Sequence, residues 1–321
     1  MIRYFFRLTV LIFLIGVSSS CERKAMWKIE LVNRTTLKEI PSASGVERWN
    51  DRYFIVGDNS PWLFETDILG NTLAKHRIGE ASEPDLIPKA EKHDFEAMCT
   101  LDWQDEQILF LFGSGSKWPY RNKGLAFSVK EQKLIETYDL SALYEVLMDK
   151  ANIHQDEMNI EAATALNGKL YLFNRGENKV IILKEKEFIN FLKDTNVLPK
   201  FKVYSLDLPE IEGIPAGFSG ATSDEKNGKI LFTSSVENTS NWVQDGAVLG
   251  SFVGIFDPEK LHQHYSPHLA IIEDKSDFIK VKVESITLDD IQDKGYQCTL
   301  ITDSDGGVSE LLKISFIKVE N

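Results

Sequence analysis

Four glutamates occupy comparable places along the chain: Glu47, Glu96, Glu161 and Glu284. Each lies near the start of a short strand-like segment that passes through a turn into a strongly apolar one. In such a hairpin the start of the first strand and the end of the second are neighbours, so every leading residue gains a trailing companion. The leading set is completed by Ser219, with Asp94 and Asn159 two places before Glu96 and Glu161. The trailing set is Asp58, Ser114, Asn174 with Arg175, Ser235 and Asp303. Carboxylates gathered at low dielectric repel one another unless positive charge sits among them. A divalent cation would satisfy them, and calcium, which accepts six to eight oxygens, suits a ring of acids better than zinc does, since no His or Cys shares these positions. Glu47, Glu96, Glu161 and Glu284 are therefore the candidate metal ligands. Asp58, Asp94, Ser114, Asn159, Asn174, Arg175, Ser219 and Asp303 are candidate ligand-binding residues. Arg175 could instead pair with the glutamates or clamp an anionic ligand in its planar fork. The competing expectation is that the glutamates only accept hydrogen bonds from backbone amides of a neighbouring sheet.

The elements that would position these residues recur. Segments beginning at Gly45, Asp94, Asn159, Gly217 and Val283 share one pattern: polar lead, turn, then YFIV, ILFLF, LYLF, ILFT or CTLIT. Asn167-Gly168 and Asn227-Gly228 suit tight turns that need positive φ. The second strands are nearly continuous in apolar residues, which predicts cover on both faces. Two further strand-like segments follow each of the first four hairpins and one follows the fifth. The missing strand is MWKIELVNRTT, from Met26, which has no partner nearby. Four-stranded sheets repeated about an axis and closed by pairing the termini describe an all-β fold, a β-propeller of five blades, with six blades or a β-sandwich as rivals. If the first strand of each blade lines the axis, the polar ends converge on one channel mouth. SALYEVLMDKAN and KEFINFLKD read as short helices inserted between strands.

DFEAM (Asp94 to Met98) and NIEAA (Asn159 to Ala163) resemble the Asp-x-Glu-Gly/Ala-apolar motif of exported phytase-like and SdiA-regulated-like propellers. The remainder of the chain resembles an uncharacterised family of bacterial propeller lipoproteins. The resemblance implies a propeller with a polar central site and, in some relatives, calcium. Ser219 stands where that pattern expects an acid, and the first blade lacks the Asp.

The chain opens MIRYFFRLTVLIFLIGVSSSC, basic, then apolar, then small, with a core too short to cross a bilayer as a helix. Residues 1–20 are thus expected to be a signal peptide. Cys21 resembles the lipidated cysteine of a lipobox, although Ser18 replaces the usual Leu three places earlier. Residues 21–25 would be a lipidated linker and 26–321 one propeller domain, exported and held at a bacterial membrane by lipid alone. A net charge of −13 without a basic stripe argues against nucleic acid as a partner. Cys99 and Cys298, both in apolar runs, read as buried thiols.

Other motifs carry less. GSGSK lacks the phosphate-loop spacing, and GFSGA opens a hairpin where a nucleophile elbow opens a helix. His262, His264 and His268 fall in a connection between outer strands, and His93 lies beside Asp94. Trp62, Trp103, Trp118 and Trp242 suit sugar binding and blade packing alike. The expected role is binding of a small anionic molecule, a glycan or an envelope protein. The alternative is a calcium-dependent hydrolase of a phosphate ester or lactone, with Glu96 or Glu161 as base and Arg175 steadying the developing anion.

Overall fold

The computed structural model describes residues 26–79, 86–239, 246–274, 277–303 and 308–319. Residues 1–20, the expected signal peptide, and Cys21 and Trp242 lie outside them. Five four-stranded antiparallel sheets form the blades of a β-propeller. Blade one contains Ala43–Trp49, Arg52–Gly57, Trp62–Asp67 and Thr72–Arg77. Blade two contains Phe95–Trp103, Glu106–Gly113, Lys123–Ser128 and Lys133–Asp139. Blade three contains Ile160–Leu166, Lys169–Asn174, Lys179–Lys184 and Phe201–Ser205. Blade four contains Gly217–Asp224, Lys229–Asn238, Ala247–Phe256 and His268–Ile271.

Blade five takes Lys282–Gln292, Gly295–Asp303 and Ser309–Val319 from the end of the chain, and its outer strand, Met26–Leu37, from the beginning. That closure runs in antiparallel register from Met26 against Val319 to Leu37 against Ser309. Two short helices, Ser141–Ala151 and Glu185–Lys193, occupy the insertions expected for them.

The turns follow their residues. Asn167 and Gly168 both adopt positive φ, 52° and 68°, the conformation a tight hairpin demands and the one these two residues reach most cheaply.

The core lies between blades. In the second strand of blade one, Tyr53 and Ile55 pack toward blade five, while Phe54 and Val56 pack toward blade two. This two-sided cover is why the second strands lack the alternation of a one-sided sheet. The blade two and three interface also takes in both helices: Phe188 of the second packs against Phe110 at 5.2 Å between ring centroids. Cys99 and Cys298 are buried free thiols. Among the described residues no helix is long and apolar enough to cross a membrane.

Candidate functional site at the axial mouth

Every innermost strand carries a β-bulge at the same place. The pairing register skips one residue at Ser44, Glu96, Glu161, Ser219 and Glu284. An extra residue in one strand of a pair bends it and redirects a side chain. Three of these five positions are acidic, and Glu96, Glu161 and Glu284 line one cavity of about 230 Å³ at the axis. Ser44, Asp58, Asp94, Asn159 and Asp303 line it as well.

Glu47 does not join them. It lies three residues beyond the bulge of blade one, at the opposite end of the channel, in a second cavity of about 580 Å³ with Thr100, Thr164, Thr222, Thr287 and Asp289. There it accepts a hydrogen bond from Thr100 Oγ1 at 3.1 Å, and burial pushes its carboxyl up to about 8. The expected four-glutamate ring is therefore a ring of three at this mouth, with Ser44 holding blade one's place. Ser44-Gly45 matches Ser219-Gly220, and that pairing was the sequence signal for the correct register.

Positive charge at the mouth comes from the protein itself, through Arg175 of the trailing set and through Lys92, Arg121 and Lys282, which that pattern missed. Lys92 bonds Asp58 and also Asp94, the latter at 2.6 Å. Arg121 Nη1 donates to Asp94 Oδ2 at 2.7 Å and to Ser116 Oγ at 2.9 Å. Across the cavity, Lys282 lies 3.0 Å from both Glu237 and Glu284. Arg175 lies 3.6 Å from Glu161 and 3.5 Å from Glu237. Lys282 stands two places before Glu284, as Asp94 and Asn159 stand before Glu96 and Glu161, so its position was readable once the bulge was known. Lys92 and Glu237 gave no such signal, because they arrive from a connection and from the far end of a second strand.

Each cluster sets three acids against two bases, with Lys89 and Asp303 lining the same cavity. Asp58, Asp94 and Glu96 face Lys92 and Arg121; Glu161, Glu237 and Glu284 face Lys282 and Arg175. The titration behaviour follows from burial first and from these neighbouring charges second. Burial, then the charges of Asp94, Glu161 and Asp58, hold the Glu96 carboxyl well above the usual carboxylate range. The charge of Lys92 opposes them. Burial lifts Glu161 too, with Arg175 and Lys282 opposing, and it lifts Glu284 to about 8 against the pull of Lys282. Burial would also raise Asp94, but Lys92 and Arg121 outweigh it and hold this carboxyl below its ordinary value. Lys92 and Lys282 are held above the ordinary lysine range by these acids, although burial alone would lower them.

Several expected ligand-binding residues are structural here. Ser114 is fully buried and donates to Asp94 Oδ2 at 2.6 Å. Asn174 ties the backbone, accepting from Asn159 N at 2.8 Å and donating to Glu157 O at 2.9 Å. Ser219, fully buried, donates to Thr233 Oγ1 at 3.0 Å and does not reach the cavity. Arg175 is buried against its two glutamates, so it is not a free clamp for an anion. Asn159 Nδ2 donates to Glu161 Oε1 at 2.6 Å and orients it. His93 packs on Phe95 and is outside the cavity lining, and His264 pairs with Asp207 on an exposed connection.

Oxygens of Asp58, Asp94 and Glu96 lie within 4.8 Å of one another and could hold a metal ion. The expected set Glu47, Glu96, Glu161 and Glu284 is not brought together; of its members only Glu96 belongs to this triad. Lys92 already bonds two of the three acids, which is why the carboxylates can approach without a metal.

A family model for proteins of unknown function, DUF6929, matches residues 39–316, which takes in all five inner hairpins. The chain belongs to that family. No curated protein matches it. Among solved structures, the glutaminyl cyclase of Myxococcus xanthus is similar with a TM-score of 0.53 and 10% identity, covering 93% of this chain and 100% of that one. The WD40 β-propeller domain of Doa1 aligns at 10% identity over 91% of this chain and 98% of that one, with a TM-score of 0.36. The first likeness speaks for the fold alone, and the second is too slight to carry an argument.

Proposed function

We propose that this DUF6929 member is an exported, lipid-anchored propeller that binds a small polar ligand in the axial cavity, either free or as part of a glycan or envelope protein. The observation that carries the reading is the cavity itself. It is about 230 Å³, it is lined almost wholly by charged and polar side chains, and it collects residues from four blades. Burying that many ionisable groups is costly, and such clusters gather at functional sites. Binding sites are concave and place a few polar groups where a ligand can meet them.

A thermal-shift and NMR panel of amines, sugars, carboxylates and phosphates checks it. Saturable binding that Glu161→Gln weakens supports the reading, and no saturable binding by any class refutes it. The anchor is tested separately. Cys21→Ser should move the protein from the membrane fraction to the soluble one, and an unchanged distribution would remove the lipid from the proposal.

The acidic triad supports a second reading, a calcium-dependent hydrolase of a phosphate ester or lactone. The ion would sit on Asp58, Asp94 and Glu96 and would have to displace the ammonium of Lys92. Turnover of such esters that requires calcium and is lost in Glu96→Gln would favour it over simple binding.

A further inference from the structure

We propose that the groove beside the outer strand of blade three captures the C-terminus of an extended peptide. The site lies apart from the axial cavity and does not rest on the reading given to it. In an antiparallel ladder, alternate residues of an outer strand turn both N–H and C=O away from the sheet. In Phe201–Ser205 the outward residues include Val203 and Ser205, as their partners show. Gln263 Nε2 donates to Val203 O at 2.8 Å, and Ser205 N donates to Gln263 Oε1 at 3.2 Å. Tyr265 N donates to Ser205 O at 3.2 Å, and Asp207 N donates to Tyr265 O at 3.0 Å. Each pair of bonds is the pair one residue of a parallel strand makes, and Tyr265 is bridged in parallel to Leu206. A connection from blade four thus fills two rungs, one with a side-chain amide and one with main chain. The register runs unbroken back to Phe201, so Phe201 also faces outward. The next rung, Phe201 C=O with Val203 N–H, is taken by no described residue.

The filled rungs restrict what can take the open one. A chain running in the direction of the Tyr265 segment meets the Gln263 amide at the following rung and must end there. A chain running the other way would have to begin there.

The charge of the groove chooses between the two ends. Its volume is about 860 Å³, Lys150, Lys179 and Lys200 line it, and no acidic residue does. Glu177 offsets Lys179, and Glu187, which accepts from Lys200 N, is paired with Lys184. Neither Lys150 nor Lys200 forms a salt bridge with a described residue. Such a groove favours a terminal carboxylate and repels a terminal ammonium. The last residue's N–H would donate to Phe201 C=O, and its carboxylate would accept from Val203 N–H beside the lysines. Leu198, 44% exposed, and the half-buried Phe201 and Val203 give the same groove apolar surface, which suits an apolar last side chain. Strand addition and carboxylate capture are both established ways of holding a peptide.

The test uses the whole chain and four probes. They are a fluorescein-labelled hexapeptide ending in Val-Leu with a free carboxylate, its C-terminal amide, its analogue N-methylated at the last residue, and decanoate. Anisotropy reads binding, and NMR follows the amide resonances of residues 198–205. The free-acid peptide should bind saturably and shift those resonances, and the amide and the N-methyl analogue should each bind about tenfold or more weakly. Val203→Pro removes the outward N–H at a strand edge, where proline is tolerated. It and the double charge reversal Lys150→Glu with Lys200→Glu, each first shown to melt as the parent does, should lower the affinity likewise. Should Val203→Pro fail that check, the charge reversal and the N-methyl analogue still decide. Equal binding of the amide would overturn the carboxylate assignment, and equal binding of the N-methyl analogue would overturn the strand pairing. Resonance shifts with decanoate and none with the peptide would overturn the proposal by making the groove a site for anionic amphiphiles. Affinity unchanged in every variant would overturn it by placing the peptide elsewhere, and so would the absence of saturable binding.

Discussion

A glutamate's place relative to the bulge decides what it can do. Glu284 sits on a bulge and faces the charged mouth, while Glu47, three residues past one, accepts a hydrogen bond from Thr100 at the other end of the channel. Burial pushes both carboxyls up to about 8, so between the ordinary carboxylate range and pH 8 the folded protein binds more protons than the unfolded chain. Stability must then fall as pH rises through that window, the reverse of a salt-bridged aspartate. Glu47→Gln keeps the acceptor for Thr100 and removes the ionisation. It is expected to melt with a flatter pH dependence than the parent and to be more stable at pH 9 by roughly 1–3 kcal/mol. Parallel melting curves for the two proteins from pH 5 to pH 9 would show that Glu47 ionises freely.

At the level of the strand, the bulge is the feature that separates a ring of acids from a stripe. Glu47, three residues beyond its bulge, lies too far along the strand to join the ring and reaches the opposite end of the channel. Alternation along a strand predicts which residues share a face only while the register is continuous, and one skipped residue moves every later side chain to the other face. The bulges need room between blades. A Cβ on Gly220 would lie 2.6 Å from Ser285 Cα and 2.9 Å from Ile286 N, both belonging to the inner strand of blade five. Backbone cannot give way as a flexible side chain can, so Gly220→Ala should cost about 1–3 kcal/mol through displacement of blade five against blade four. Denaturant unfolding measures it, and a loss within experimental error would mean that the two blades slide freely.

The molecule as a whole is a ring, and rings fail at their seam. The strand Met26–Leu37 covers one edge of Ser309–Val319 and brings Trp27 onto Phe316, with ring centroids 4.5 Å apart. Deleting residues 26–37 exposes that edge and opens the core between blades five and one, where Leu37 packs. The shortened protein should lose its single cooperative transition and aggregate, as unpaired apolar edges do, and retained cooperative melting would show that blade five closes on three strands. Metal, by contrast, is not expected to hold the ring shut. Lys92, Arg121, Arg175 and Lys282 already bridge the acids of the mouth. Dialysis against EDTA should therefore leave the melting temperature within about 1 °C, a shift well below that of one lost interaction. A drop of ten degrees would assign the triad a resident ion.

The sequence alone determined the five hairpins, their turns, the two-sided burial of the second strands and the terminal strand that completes blade five. All of these are written in local patterns: runs of apolar residues, Asn-Gly pairs, and a strand without a neighbour. It also carried the acids, but not the residues that balance them. Lys92, Arg121 and Lys282 come from three different stretches of chain, and the pattern of leading and trailing hairpin ends includes none of them. Only the closed ring brings them within bonding distance. Because a carboxylate's charge state depends on what lies within a few ångströms of it in space, the chemistry of the mouth was decided by the tertiary structure.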